Sequence, residues 1–262
     1  MKLISLNTWG GKCFKPLIEF IKQQSLNTDI FCFQEMQDTI SKVKQYRNIR
    51  ANLLTEFKQI LPDFQVFYFP VIKSFDDEAN PINFDSTTGS AILVNNSIKI
   101  TYQANYIVSQ DQPFPKLKED FSNLPTPLQF INCQINNKQY VIFNFHGRPM
   151  PGNKLDSPER LEEAQKVKEI IDQKNEAKIL LVGDFNLLPD TKSIKIYGKN
   201  MRNLIREFDI RKTRSNLSPF YGGPNFQKYA DYTFVSSDIK VTKFQVPDMP
   251  ISDHLPMILE FS

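Results

Sequence analysis

Eight polar residues stand where apolar runs of this sequence stop, and their types suit metal and phosphate chemistry. They are Asn7, Glu35, His146, Asp184, Asn186, Asp231, Asp253 and His254. Each alone has an ordinary explanation, because Asn and Asp favour turns and caps after a strand. Together they offer hard oxygen ligands for a divalent ion, two imidazoles, and groups that can position a phosphate and a water.

The chain contains only two histidines, and both belong to this set. His146 ends the apolar run Val141 to Phe145, and His254 lies in Ser-Asp-His-Leu-Pro ahead of the last apolar run. Two structural histidines could occupy such positions by chance. Their grouping with Asp and Asn residues favours a shared catalytic site.

Short runs rich in Ile, Val, Phe and Leu predict the strands that would carry these residues. The runs are Leu3 to Leu6, Ile30 to Phe33, Phe64 to Phe69, Ala91 to Val94, Phe130 to Cys133, Val141 to Phe145, Ile179 to Val182, Thr233 to Val235 and Met257 to Phe261. These strands are too numerous for one open sheet. The pattern favours a mixed α/β chain with two stacked sheets and helices outside.

Helical spacing of apolar residues predicts a helix that begins after the N-cap candidate Ser157 and ends before Asn175. Further helices are predicted from about Lys15 to Gln24, from about Thr39 to Ile60, and as a short pair within Ser193 to Phe208. The Pro-rich segment from Gln112 to Pro127 is predicted to be a loop inserted in one domain.

Composition predicts a single domain over residues 1–262, because 40% hydrophobic content can fill a large core. A net charge of +3 permits an anionic substrate without indicating a nucleic-acid binder. Three cysteines without CxxC spacing predict no disulfide framework, which favours a reducing cytoplasm. We expect neither a signal peptide nor a membrane span, since no apolar run is long enough.

Five short motifs, in this order, resemble those of the endonuclease/exonuclease/phosphatase family. They are Leu-Asn-Thr-Trp at 6–9, Phe-Gln-Glu at 33–35, Gly-Asp-Phe-Asn at 183–186, Asp-Tyr at 231–232 and Ser-Asp-His at 252–254. The resemblance runs from residue 6 to the end of the chain. It implies a four-layer α/β/β/α sandwich, in which two mainly antiparallel sheets are stacked and flanked by helices.

The resemblance also implies a metal site. Glu35 would be the main ligand, with Asn7 and Asp253 near the ion and acting through water. Magnesium is the expected metal, and manganese a substitute. Mg²⁺ keeps several waters and takes few protein carboxylates, which suits one direct Glu ligand.

By the same resemblance, Asp184 and Asn186 would orient the attacking water and bind a phosphate oxygen, and both could point the same way from one extended segment. His254 resembles an acid/base or phosphate-stabilising histidine whose tautomer Asp231 fixes. His146 resembles a second phosphate-binding histidine, found in deoxyribonuclease I and the neutral sphingomyelinases. The implied reaction is in-line attack of water at phosphorus without a covalent intermediate.

Departures from the family pattern bear on the substrate. The signatures of abasic-site endonucleases and exodeoxyribonuclease III are replaced at residues 7–10 and 228–232, so a repair nuclease is not indicated. His-Gly-Arg-Pro at 146–149, followed by Ser-Pro-Glu-Arg at 157–160, is closer to a small bacterial branch of the family. Trp9 and Arg148 could shape substrate access, or they could simply pack and pair with a carboxylate.

A basic run from Lys192 to Arg214 has two interpretations. It could be a solvated helical face, which is the usual case, or an electrostatic guide for a phosphate-rich substrate.

The leading hypothesis is a monomeric, magnesium-dependent phosphodiesterase or nuclease that acts on a phosphate-containing substrate, for which nucleic acid is one candidate. The alternatives are a phosphatase or phosphodiesterase of a lipid or inositol head group, and an inactive phosphate-binding or partner-binding module. Retention of every motif residue favours an enzyme.

Overall fold

The structure is a computed structural model that describes residues 1–76, 78–109, 112–135, 138–174 and 177–262. In these residues twelve strands form, listed in chain order: β1 (Lys2–Asn7), β2 (Ile30–Asp38), β3 (Phe64–Lys73), β4 (Thr87–Asn95), β5 (Lys99–Ile107), β6 (Pro127–Ile135), β7 (Lys138–His146), β8 (Lys178–Asp184), β9 (Met201–Asn203), β10 (Asp231–Ser236), β11 (Val241–Gln245) and β12 (Met257–Phe261). The helices in the same residues are α1 (Phe14–Ser25), α2 (Leu53–Ile60), α3 (Pro158–Asp172), α4 (Lys192–Tyr197) and α5 (Leu204–Glu207), with a 3₁₀ turn at Trp9–Gly11.

The described strands pair into two sheets of six. The first has the order β11-β12-β1-β2-β4-β3, and the second has the order β5-β6-β7-β8-β10-β9. Pairing is antiparallel except between β1 and β2 and between β7 and β8. The predicted sandwich of two mainly antiparallel sheets flanked by helices is confirmed.

Alternation along the strands builds two apolar layers on the first sheet. Leu3 and Cys32 join a cluster with Phe130 of the second sheet. The next residues along their strands, Ile4 and Phe33, join a different cluster, which contains side chains of α1 and α2. Successive side chains of a strand point to opposite faces, so one face meets the other sheet and the opposite face meets helices.

The stacking brings strand ends of both sheets to one place. Contacts between the sheets join β1 to β8, β2 to β7, and both β3 and β4 to β6. Within the second sheet, Asp184 is the register partner of both His146 and Asp231. The ends of β1, β7 and β8 and the start of β10 therefore converge at one edge of the sandwich.

All nine strands predicted from apolar runs are present. The described strands that the apolar runs did not predict are β5, β9 and β11, which all lie at the edges of their sheets. β5 is largely exposed, with a polar, mixed sequence, and β9 has only three residues. An edge strand buries few side chains, so the apolar pattern that identifies a central strand is missing.

Most predicted helices are confirmed, but the one from Thr39 to Ile60 is wrong over its first part. Only α2 is helical there. Ile40 is 91% exposed, and the N–H of Arg50 donates to the carbonyl of Gly10. The segment lacks a core-facing stripe, and its backbone finds partners outside a helix.

The helix after Ser157 is α3, whose first turn Ser157 caps through the N–H of Arg160. Its predicted limit, Asn175, lies outside the described residues. Both predicted short helices are present as α4 and α5. No helix in the described part of the chain is long and apolar enough to cross a membrane.

Candidate active site

All eight residues predicted from the sequence meet at the edge of the sandwich where the strands converge. Six of them line one cleft of about 350 Å³: Glu35, His146, Asp184, Asn186, Asp253 and His254. Asn7 and Asp231 lie behind this lining and hydrogen-bond to it. Residues separated by up to 247 positions in sequence thus form one connected group.

Glu35 is aimed into the cleft by an irregularity in β2. The register of β2 against β4 shifts between Phe33 and Met36, and Glu35 between them has a φ of 53°. A bulge of this kind redirects a side chain, and a positive φ costs a residue with a side chain about 1–3 kcal/mol. The carboxylate that results is 33% exposed within the cleft.

Asn7 links the two central carboxylates. Its amide nitrogen donates to Oε1 of Glu35 at 2.9 Å and to Oδ2 of Asp184 at 3.0 Å. Its amide oxygen accepts the N–H of Trp9 at 3.0 Å, which sets the orientation of the amide. The N–H groups of Asn7 thus face the two carboxylates, and its place near the metal, acting through water, stays a prediction.

A buried network joins Asp231, His254 and Asp184. Nδ1 of His254 lies 2.9 Å from both carboxylate oxygens of Asp231, and Nε2 lies 3.5 Å from Oδ2 of Asp184. All three residues are at most 2% exposed. Asp231 thus holds the imidazole so that Nε2 faces Asp184 and the cleft.

The charges of this network determine its protonation. Burial and Arg214 act to lower the pKa of His254, but the surrounding carboxylates outweigh them and raise it to about 9. Burial acts to raise the pKa of Asp184, but His254, His146 and other cations outweigh it and lower it to about 2. Burial also raises the pKa of Asp231, which the charge of His254 offsets only in part. An imidazolium beside an ionised Asp184 is the favoured state at neutral pH.

Asp253 pairs with Arg214, a residue that the sequence analysis did not place in the site. Nη1 of Arg214 donates to Oδ2 of Asp253 at 2.8 Å, and both side chains are largely buried. The backbone of Arg214 also forms a bridge with His254. The charge of Asp253 is therefore largely balanced by the protein itself.

The sequence predicts that Asn186 continues the extended segment of Asp184, but in the structure it does not. It has a φ of 53°, and its own N–H donates to Oδ1 of Asp184 at 2.9 Å. Its side chain nevertheless lines the cleft, where Oδ1 accepts a hydrogen bond from Nζ of Lys154 at 2.6 Å. Burial lowers the pKa of Lys154 to about 7, although the charge of Asp184 acts in the opposite direction.

His146 faces a gap between the two central carboxylates. Its Nε2 lies 3.9 Å from Oε1 of Glu35 and 3.8 Å from Oδ2 of Asp184. Both distances exceed hydrogen-bond range. His146 is therefore not hydrogen-bonded to either carboxylate, whereas Asn7 contacts the same two oxygens.

Lys154 and Arg214 also line the cleft, but no motif or spacing in the sequence predicts that they do. Arg214 is the last member of the basic run, and Lys154 lies between the two motifs of the bacterial branch. Trp9 also lines the cleft. Arg148 instead donates to the carbonyl of Ser122 and lies 3.8 Å from Glu163, so it pairs with a carboxylate outside the cleft.

The basic run does not form one helical face, because it spans α4, β9, α5 and the segment after them. Several of its members pair with carboxylates: Arg202 with Glu207, Arg206 with Asp190, Arg211 with Asp209, Lys212 with Asp248 and Arg214 with Asp253. This local neutralisation weakens any field that could guide a polyanion.

The model of the Endonuclease/Exonuclease/phosphatase family matches residues 4–254. The chain therefore belongs to this family, and it is a hydrolase of phosphate esters. No curated protein sequence matches it.

Solved structures with the same fold include members of this family. A mannosyl-6-phosphatase of Bacteroides thetaiotaomicron has a TM-score of 0.70 at 17% identity, over 100% of this chain and 99% of that one. The human Nocturnin catalytic domain with bound sulfate anion has a TM-score of 0.70 at 17% identity, over 100% and 93%. A family protein of Leptotrichia buccalis has a TM-score of 0.73 at 14% identity, over 100% and 99%. At these identities the likeness shows the fold alone.

Proposed function

We propose that the chain is a magnesium-dependent phosphodiesterase whose catalytic residues are those of the cleft. The observation that carries the proposal is the continuous network from Asp231 through His254, Asp184 and Asn7 to Glu35. It connects a buried imidazole and a partly exposed carboxylate through one ionised Asp. That arrangement suits a reaction in which negative charge grows on a phosphate.

The donor set at Glu35 fits Mg²⁺. Glu35 offers a partly exposed carboxylate next to the gap bordered by His146 and Asp184. Mg²⁺ takes one or two carboxylates and keeps several waters, which a partly open site allows. There it would stabilise negative charge on a phosphate oxygen, and Mn²⁺ would substitute.

A second set of ligand-type atoms, from Asp184, Asp231 and His254, lies within 4.8 Å. We assign no metal to it. Its members already contact one another in a buried network, in which Nδ1 of His254 lies 2.9 Å from Asp231 and Nε2 lies 3.5 Å from Asp184. This set is better described as a charge network.

The protein residues have distinct proposed roles. Asp184, anionic and held by Asn7, orients the attacking water. His254, held by Asp231, donates through Nε2 to a phosphate oxygen as negative charge develops. Lys154 and Asn186 bind another phosphate oxygen, and His146 binds the phosphate on the Glu35 side.

Nuclease activity without base specificity belongs to this proposal only as one form of phosphodiester cleavage. The paired basic run weakens the case for a long polyanion. Cleavage of a lipid or inositol head group is the alternative, and the intact network disfavours an inactive binding module. The sulfate held by the Nocturnin domain, a tetrahedral anion, agrees with phosphate binding on this fold.

The test is a screen of phosphate esters in Mg²⁺, in Mn²⁺ and in excess chelator. The substrates are plasmid DNA, single-stranded RNA, an abasic duplex, a phosphoinositide, sphingomyelin and bis(p-nitrophenyl) phosphate. We expect turnover of a diester that chelation abolishes and Mg²⁺ restores, and that the His254→Ala variant lacks. Full turnover in excess chelator would refute the metal, and activity retained by His254→Ala would indicate a contaminant or a different site.

We also propose that the chain is one domain that acts as a monomer in the cytoplasm. The shared core of the two sheets supports the first point. The free thiols of Cys13, Cys32 and Cys133 suit a reducing compartment.

A further inference from the structure

One half of the cleft is apolar. Beyond the catalytic residues, it is lined by Val71, Ile72, Leu117, Phe121, Leu124 and Phe220. We call these six residues the apolar wall. Phe220, which also lines the cleft, is 60% exposed. The chemistry proposed above uses none of them.

The catalytic residues form a row across the two stacked sheets, which we call the catalytic row. Most of the apolar wall lies beyond one end of it. Across the stacked sheets, Asp231 and His254 come from β10 and the approach to β12, Asp184 from β8, and then Glu35 and His146 from β2 and β7. Outward from β2 lie β4 and then β3, which carries Val71 and Ile72, and outward from β7 lies β6, which follows the loop of Leu117, Phe121 and Leu124. These five wall residues thus lie beyond Glu35, on the side away from Asp231.

Thr88 and Asp76, two of the polar side chains at this end, are paired within the protein. Thr88 donates to Gln37 at 2.9 Å, and Asp76 accepts from Arg47 at 2.8 Å and from the N–H of Asn80 at 2.8 Å. A sugar or another polyol placed here would bury hydroxyls against the apolar wall without partners, which costs free energy. A hydrocarbon group would instead replace water on an apolar surface.

We propose that the substrate of this cleft is a phosphate ester whose leaving alcohol is apolar, and that the apolar wall binds that alcohol. This proposal rests on the proposed function for its reaction. The water beside Asp184 forms the new bond to phosphorus, and in-line displacement then breaks the opposite bond, between phosphorus and the alcohol oxygen. The water gives up one proton and the alcohol oxygen gains one. The leaving side is the side of Glu35 and the apolar wall.

Binding tests the apolar wall without turnover. Methyl-, butyl- and hexylphosphonate are titrated into the protein in a magnesium buffer by calorimetry. We expect affinity to rise roughly two- to fourfold per added methylene until the chain covers the wall. Equal affinity for all three phosphonates would overturn the proposal.

The products of a mixed diester test which of its two alcohols leaves. Hexyl methyl phosphate carries two primary alcohols of similar acidity, so intrinsic reactivity does not favour either. We expect hexanol and methyl phosphate as products. Methanol and hexyl phosphate would show that the wall holds the group that stays on phosphorus.

Variants assign the effect to the wall. Leu124→Ser and Phe220→Ser should flatten the dependence on chain length and leave methylphosphonate affinity unchanged, whereas Leu26→Ser, at a residue 87% exposed on the end of α1, should alter neither. Phe220 is exposed enough that its variant should fold even if Leu124→Ser does not. A chain-length dependence that both wall variants retain would overturn the assignment. Hydrolysis with a flat phosphonate series would refute this proposal alone, and a steep series without hydrolysis of any ester would refute the proposed function alone.

Discussion

The two ends of the catalytic row differ in how the protein holds them. At the Asp231 end, Nδ1 of His254 is 2.9 Å from both oxygens of Asp231, and both residues are almost fully buried. At the Glu35 end, Nε2 of His146 is 3.8 to 3.9 Å from its nearest carboxylates, and Glu35 is partly exposed. The first end is preorganised by the protein alone. At the second end, neither carboxylate is within hydrogen-bond range of His146, and Glu35 is open to the cleft.

The largest effect should come from breaking the preorganised end. His254→Ala should lower kcat by about 10²–10⁴, the range for losing a positioned acid or base. Because Asp231 acts through His254, the His254→Ala/Asp231→Ala double variant should lose little more than His254→Ala. Steady-state kinetics of His254→Ala, Asp231→Ala and the double variant measures this, and losses that multiply would show that the two residues work separately.

His254, at the Asp231 end, should make the free energy of unfolding depend on pH. The pKa of His254 is raised from its ordinary 6.5 to about 9 in the folded protein. This stabilisation is therefore complete below pH 6.5 and is lost as pH rises through 9, by at most about 3 kcal/mol. Denaturant unfolding in chelator between pH 6 and 10 should show this decline. The His254→Gln variant should lack it, and an equal decline in that variant would point to other groups.

Removing a cation inside the cleft should raise KM more than removing one outside it, and this effect should be smaller than the loss in His254→Ala. Measured below the Lys154 pKa of about 7, where the amine is charged, Lys154→Gln removes a charged donor beside Asn186 and should raise KM about tenfold. Arg206→Gln, the matched control, removes an exposed cation paired with Asp190 and should change KM less than twofold. Similar effects of both on a small diester would mean that long-range charge, not contact in the cleft, binds the phosphate.

Central strands and strand-end residues could be predicted from the sequence because burial and chemistry leave a local pattern there. Apolar runs mark β1, β2 and β8, whose side chains are buried on both faces, and polar residues follow where burial ends. The edge strand β5 has no such pattern, since it is largely exposed. The failed helix after Thr39 shows the converse: helical spacing without a core to cover does not make a helix.

The partners within the site could not be predicted in the same way. Arg214 reaches Asp253 across 39 positions, and Lys154 reaches Asn186 across 32, so no local spacing connects them. The orientation of Asn7 depends on a hydrogen bond to the backbone of Trp9. The positive φ of Glu35 and of Asn186 reflects the fold around them, which side-chain type does not encode.

The central claim is that the metal belongs to the open end and not to the charge network. Electron paramagnetic resonance of Mn²⁺ binding tests it directly, with Glu35→Gln compared to Asp231→Asn. The wild type should bind Mn²⁺. Glu35→Gln should weaken binding at least about tenfold, which even an outer-sphere partner can cost, whereas Asp231→Asn should bind nearly as well as the wild type. Loss of Mn²⁺ binding in Asp231→Asn with retention in Glu35→Gln would contradict the account and place the ion among Asp184, Asp231 and His254.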